Sequence, residues 1–85
     1  MREYLEKFTY NHESIIFGEY VITYQVYKEF YKDNTSDYGI RMTNNLTEVE
    51  CYFEEYSTYD EAVEDVHRLD KLEATFERQF ADEFY

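Results

Sequence analysis

The chain has no proline, no tryptophan, two glycines and one cysteine among its 85 residues. Linkers, low-complexity tails and collagen-like repeats depend on glycine and proline, so the composition excludes them. The single Cys51 cannot form an internal disulfide, and the fold therefore needs no oxidising compartment. No segment approaches the roughly 18 apolar residues of a membrane span, and the N-terminus lacks the apolar core of a signal peptide. We therefore expect a cytoplasmic protein.

Basic residues are also scarce, with 8 Lys and Arg against 20 Asp and Glu and a formal net charge of −12. The excess is concentrated toward the C-terminus, where residues 54–85 hold eleven acids and three bases. Such a surface repels DNA and anionic lipid, so neither is expected as a direct partner. A compact polyanion solvates itself, binds cations, or imitates a nucleic acid in front of a basic protein groove.

Aromatic residues are abundant, with eleven Tyr and seven Phe. Low hydropathy combined with high net charge is typical of disorder. Large aromatic side chains argue against disorder here, because each buries much area while restricting few torsions. The length suits one small core, and we predict a single ordered domain over residues 1–85.

Alternating polarity predicts three strands, over Tyr20–Tyr31, Tyr38–Thr43 and Thr47–Tyr56. Asn44 and Asn45 suit the left-handed backbone of a tight hairpin turn between the last two. The first seventeen residues fit either a short helix or a strand, and a strand is slightly favoured. The predicted inward positions of the first and third strands are Tyr20, Ile22, Tyr24 and Val26, and Val49, Cys51 and Phe53.

A helix is predicted from Tyr59 onward, because Thr58 and Glu61 have the spacing of a capping box. No Gly or Pro interrupts it, so one long helix and two joined helices both fit. Its apolar stripe is expected to pack on the sheet face that carries Val49, and it consists of Ala62, Val63, Val66, Leu69, Leu72, Phe76, Phe80 and Phe84. The predicted class is α+β, an antiparallel β-meander of three to four strands followed by a long acidic C-terminal helix.

No catalytic or metal-binding pattern is present. Cys51 falls between apolar residues and is expected to pack rather than react. His12 and His67 have no second ligand at metal-binding spacing, and no calcium loop or phosphate-binding glycine motif occurs. We therefore predict neither an enzyme nor a cofactor.

The acids and tyrosines have two interpretations. Repeated like-charge pairs such as Asp60–Glu64 weaken a helix slightly, which suggests that the negative field is itself useful. The same acids also keep a tyrosine-rich small protein soluble. Strand alternation predicts exposed tyrosines beside carboxylates, an arrangement suited to a pocket lined by Arg and Lys. These tyrosines are Tyr27, Tyr31, Tyr52 and Tyr56.

In size, acidity, aromatic content and element order, the chain resembles small phage-encoded nucleic-acid mimics. Among these it is most similar to anti-CRISPR proteins that block single-protein CRISPR effector nucleases, although no motif matches residue by residue. The resemblance implies a DNA-mimic inhibitor that acts in the host bacterial cytoplasm and occludes a basic nucleic-acid-binding groove of a defence nuclease. The candidate partner-binding residues are Glu48, Glu50, Tyr52, Glu54, Glu55, Tyr56, Asp60, Glu61, Glu64 and Asp65.

An adaptor or regulatory protein is the alternative. It would bind a partner, or a second copy of itself, through the tyrosine-rich sheet face, with the acids serving solubility. Salt dependence separates the two hypotheses, because a charge-mimicking contact weakens in salt and an aromatic contact responds little. The sequence leaves the oligomeric state open.

Overall fold

A computed structural model describes the backbone of residues 1–84 and the side chains of residues 1–75. The elements in chain order are β1 (Arg2–Ser14), β2 (Gly18–Phe30), β3 (Ser36–Asn44), β4 (Glu50–Tyr56) and α1 (Tyr59–Phe84). The strands form one antiparallel sheet in the order β1-β2-β3-β4, so β1 and β4 are its edges. The predicted α+β meander is confirmed. The N-terminal segment is a strand, and the C-terminal helix is continuous.

The core lies between the central strands and one face of α1. All four predicted inward residues of β2 are buried there. Ile40 of β3 and both Ala62 and Val66 of α1 complete the buried cluster, each with no exposed area. Strict alternation along β2 therefore positions the helix on one face of the sheet and leaves the other face open.

The start of α1 follows its predicted capping box. Thr58 Oγ1 accepts a hydrogen bond from the Glu61 amide at 3.1 Å, and the Glu61 carboxylate accepts one from the Ser57 amide at 3.0 Å. Both contacts satisfy amides that have no partner within the helix, and Asp60 and Glu61 place negative charge at its positive end. Among the described residues, no helix combines the length and the apolar character needed to cross a membrane.

Two irregularities change which face several side chains occupy. The β1–β2 register shifts between Tyr4 and Lys7, and the β3–β4 register shifts where Glu54 and Glu55 both face Gly39. Glu55 has φ 69°, a left-handed conformation that accommodates the extra residue. Each bulge reverses the alternation beyond it. The unbroken alternation predicted over Thr47–Tyr56 is therefore wrong past the bulge in β4.

The connection between β3 and β4 is longer than predicted. It runs from Asn45 to Val49, so β4 begins at Glu50 and not at Thr47. The left-handed residue in it is Glu48, with φ 57°, and not Asn44 or Asn45. Asparagine side chains shape the turn instead, since Asn44 Oδ1 accepts the Leu46 amide at 2.9 Å. The predicted tight turn is wrong, because the Asn44 side chain stabilises a longer turn and neither asparagine has a left-handed backbone.

This longer turn removes Val49 from the helix-facing side. Val49 is 48% exposed, whereas Phe53 packs against the core and the free thiol of Cys51 is half-buried opposite Met42. Leu72, predicted within the apolar stripe, is 44% exposed. The prediction that these two aliphatic residues pack between sheet and helix is wrong. Phe76, Phe80 and Phe84 lie outside the described side chains.

The buried and exposed valines give a matched test of this packing. Val66→Ala should lower the free energy of unfolding by about 2 kcal/mol, because two methyl groups leave a fully buried site and a cavity remains. Val49→Ala should change it by less than about 0.5 kcal/mol, as expected for an exposed position. Urea unfolding followed by circular dichroism compares the two. Equal losses in both variants would contradict the position of α1 on the sheet.

Candidate partner-binding surface

The predicted contact residues lie where the edge strand β4 leads into α1. Glu54 and Glu55 lie just before the end of the strand at Tyr56, and Asp60, Glu61 and Glu64 occupy the first turns of the helix. All five are exposed. The two-residue link of Ser57 and Thr58 is short, so the junction presents its carboxylates along one margin of the molecule.

Asp65, although close in sequence, is part of the helix–sheet contact. Its carboxylate accepts hydrogen bonds from Tyr56 Oη and from Arg68 Nε, and its side chain is 17% exposed. The Arg68 guanidinium, with help from the Tyr56 hydroxyl, lowers the pKa of Asp65 below its ordinary value. Burial, followed by the hydrogen bond to Asp65, raises the pKa of Tyr56. Both side chains are therefore already satisfied within the fold.

Tyr56 itself lies on the side of the sheet opposite to the predicted one. The β4 bulge pairs it with Tyr38, so it joins the helix-facing residues and contacts the core. Unbroken alternation would have grouped it with Tyr52 on the open face. The prediction that Tyr56 belongs to an exposed tyrosine row is wrong, because Glu54 and Glu55 together take the place of one residue.

A further group of helix carboxylates binds the sheet. His12 Nε2 lies 2.7 Å from Asp70 Oδ1, with the two side chains 7% and 18% exposed. The His12 ring stacks on Tyr20 at 5.4 Å between centroids, and Tyr20 Oη donates to Glu73 Oε1 at 2.6 Å. These acids satisfy polar groups that would otherwise be desolvated without a partner. Asp70 and Glu73 therefore help to hold the helix on the sheet.

Two more polar contacts join α1 to β1. Tyr10 Oη lies 3.0 Å from His67 Nδ1, and Tyr59 Oη donates to the Glu6 carboxylate. Burial raises the pKa of Tyr10. A row of phenol and imidazole contacts thus borders the small apolar core. The sequence signal for it is present in retrospect: acids recur beside the apolar stripe opposite a strand rich in aromatic residues.

The open face of the sheet contains a second aromatic cluster centred on Tyr27. The Tyr27 ring is 1% exposed, with the Arg2 guanidinium 4.0 Å from its centroid and Tyr4 and Tyr52 in edge contacts at 6.0 and 6.3 Å. It crosses Gly39, whose missing side chain leaves room for it. The prediction that Tyr27 is exposed is wrong, because its neighbours cover it on an otherwise open face.

Basic side chains gather on this same open face. Arg41 Nε bonds the Glu50 carboxylate, Arg2 Nε lies 3.2 Å from Glu29 Oε2, and Lys7 borders a shallow depression beside Arg41. Glu50 is therefore compensated within the fold, unlike the acids at the β4–α1 junction. Tyr52, 44% exposed, also donates its hydroxyl to Glu50 at 3.3 Å.

Within the described residues, no three His, Cys, Asp or Glu side chains converge so as to hold a metal ion. Comparison of the chain with family models, with curated proteins and with solved structures finds no match. The surface is therefore interpreted from its own geometry and charge.

Proposed function

We propose that this protein binds a basic nucleic-acid-binding protein and occludes its groove, with carboxylates at the β4–α1 junction in place of phosphates. The observation that carries the proposal is the stretch from Met42 to His67, which contains eight acids and no Lys or Arg. This stretch follows the edge strand and the start of the helix. Among the described residues, two of these eight acids form ion pairs, Glu50 with Arg41 and Asp65 with Arg68, and the margin keeps an excess of negative charge.

Three carboxylates on this margin are available to a partner. Glu55, Asp60 and Glu64 are exposed and form no hydrogen bond or ion pair with any described residue. Pairing them with Lys or Arg breaks no contact of the fold, in contrast to Asp65 or Glu50. Exposed pairs contribute only about 0.2–1 kcal/mol each, so their main effect is on the rate of association.

The target class comes from the resemblance to anti-CRISPR proteins. A single-protein CRISPR effector nuclease reads duplex DNA with arginines and holds nucleic acid in basic channels, which suit such a margin. The protein would then act by binding and not by catalysis, in the bacterial cytoplasm. The test is a competition assay in which purified RNA-guided nucleases bind labelled target DNA with and without the protein. Displacement that weakens with added salt supports the proposal.

Charge reversal at the margin should slow association. Glu55→Lys combined with Glu64→Lys should lower the association rate with an inhibited nuclease by about tenfold or more at low salt, because steering follows the local field. Dissociation should change much less. Stopped-flow fluorescence at several salt concentrations gives both rates.

The matched control carries the same change in net charge on the opposite edge of the sheet. Glu3→Lys with Glu13→Lys alters β1, where both residues are exposed. This variant should associate at close to the original rate. If both double variants slow association equally, only the net charge matters and the margin is no specific site.

The open sheet face carries the second candidate function, an adaptor or self-association surface. Tyr4 and Tyr52 are 46% and 44% exposed on either side of the buried Tyr27 ring. Partly exposed aromatics supported by a rigid neighbour are typical of binding hot spots. Complexes that survive high salt and are lost in Tyr52→Ser would favour this function over occlusion.

A further inference from the structure

Two turns at the same end of the sheet expose large apolar side chains. The β1–β2 turn and the β3–β4 turn both lie at the end opposite the β2–β3 loop, as the antiparallel order requires. We call their apolar residues the apolar tip. Its members and their exposed fractions are Ile15 (39%), Ile16 (54%), Phe17 (69%), Leu46 (40%) and Val49 (48%).

The two turns meet in one depression. Phe17 and Leu46 line the same depression, with Tyr20 and Glu73 in its wall. Scattered apolar residues are normal on a protein surface, but a contiguous group marks an interaction site. The depression therefore continues the apolar tip inward.

The fold does not require these side chains. Ser14 Oγ accepts the amides of Ile16 and Phe17 at 3.2 and 3.3 Å, and Gly18 closes the turn with φ 83°. Backbone and serine contacts thus define the turn, where polar residues are usual. The contacts of the turn therefore do not explain why Ile15, Ile16 and Phe17 are apolar.

The charges beside the apolar tip indicate what covers it. Neither turn contains Lys or Arg, and Glu19 and Glu48 are exposed next to the apolar residues. A second copy would bring like charges together, and an anionic membrane would be repelled. An apolar pocket with a rim of Lys and Arg matches both the centre and the border of this surface.

We infer that the apolar tip inserts into an apolar pocket with a basic rim on the same basic partner, and that it holds the complex together. This inference rests on the proposed function, since the edge strand β4 begins beside Val49 and ends at the β4–α1 junction, where Glu55 and Asp60 lie. The acids accelerate the encounter, and the apolar tip slows dissociation. Binding energy in interfaces is usually concentrated in a few buried apolar anchors of this kind.

Binding of two model peptides tests the recognition chemistry directly. One is a short amphipathic helix with Leu on one face and Arg on the other, and its control has each Leu replaced by Ala. The Leu/Arg peptide should bind at least about tenfold more tightly and shift the amide resonances of Ile15–Gly18 and Leu46. Ile16→Ser with Phe17→Ser should abolish the difference between the peptides. Tyr31→Ser, an exposed aromatic at the other end of the sheet, should preserve it.

Three outcomes would overturn the inference: equal affinity for both peptides, self-association lost in the Ile16→Ser and Phe17→Ser variant, or binding to neutral phosphatidylcholine vesicles that this variant loses. The second would assign the apolar tip to another copy, and the third to a lipid surface. Nuclease competition separates this inference from the proposed function. A protein that fails to displace DNA but still discriminates the peptides loses the proposed target and keeps the recognition chemistry of the apolar tip.

Discussion

Raising the pH above about 10 is expected to unfold the protein cooperatively, because buried tyrosine hydroxyls resist ionisation. Burial raises the pKa of Tyr24 and Tyr56 well above their ordinary value and raises the pKa of Tyr27 to about 12. Below pH of about 10 these groups are protonated in both states, and their contribution to stability is complete. It is lost as the pH rises through the folded pKa values, because the unfolded chain releases its protons first.

The expected loss is large for a small domain. Each of these tyrosines contributes up to about 1.4 kcal/mol of destabilisation per pH unit within this window. By a pH of about 12, the three tyrosines together remove a free energy of unfolding of about 5–10 kcal/mol. The growing negative charge of the protein destabilises the fold further. Phenolate absorbance and far-ultraviolet circular dichroism, recorded together, measure the effect. Exposed tyrosines should ionise first, and the buried ones together with the loss of the sheet signal.

Single hydroxyl deletions give the control for the alkaline transition. Tyr24→Phe removes one buried ionisable group and should move the transition to higher pH. Tyr31→Phe removes a hydroxyl from a side chain that is 46% exposed and should move it less. Ionisation of all eleven tyrosines in one step with the sheet intact would contradict the burial of this aromatic group.

Gly39→Ala should lower the free energy of unfolding by about 3 kcal/mol. An added Cβ would fall within contact distance of the Tyr27 ring, at 2.7 Å from Cε2 and closer still to Cζ and Oη. A ring in open solvent would rotate away at little cost. This ring is held by Arg2 and Tyr52, so the clash must displace packed neighbours, and overpacking of this kind typically costs about 1–3 kcal/mol.

A double-mutant cycle isolates the clash. In a Tyr27→Val background the ring is absent, and Gly39→Ala should then cost less than about 0.5 kcal/mol. Gly18→Ala is the backbone control, because open space surrounds Gly18 and its cost comes only from φ 83°. Urea unfolding gives the free energy of unfolding of the four proteins in the cycle and of the Gly18→Ala control. If Gly39→Ala lowers the free energy of unfolding as much in the Tyr27→Val background as in the original protein, a clash with the Tyr27 ring is not the cause of the destabilisation.

The sequence predicted the parts of the fold that depend on simple periodicity and local chemistry. The inward face of β2 follows from strict alternation, and the start of α1 follows from the pairing of Thr58 with Glu61. Both signals lie within a few residues and need no knowledge of a neighbour. The meander order follows as well, because short antiparallel connections leave few alternatives.

The remainder depends on contacts between distant residues. A bulge at Glu54 and Glu55 turns Tyr56 toward the helix, and nothing in the local pattern marks the extra residue. Tyr27 alternates like an exposed residue. It is buried because side chains from other strands cover its ring, and because Gly39 has no side chain to occupy the space that the ring fills. From the sequence, Asp65 is indistinguishable from an exposed acid. Its hydrogen bonds to Tyr56 and Arg68 depend on the packing of the helix on the sheet. The apolar tip was not predicted, because its residues lie in turns and neither periodicity nor charge marks them.

The hydroxyl–carboxylate contacts between sheet and helix divide the acidic residues into two populations under separate evolutionary constraints. Replacing Asp65 or Glu73 by an apolar residue removes the acceptor of a tyrosine hydroxyl at the interface, an effect separate from the change in overall charge. Glu55 and Glu64 have no such attachment and are open to drift unless a partner selects for them. Among diverging relatives of this chain, acids at the interface should therefore persist for reasons of folding alone. Persistence at the β4–α1 margin would instead record selection by a binding partner.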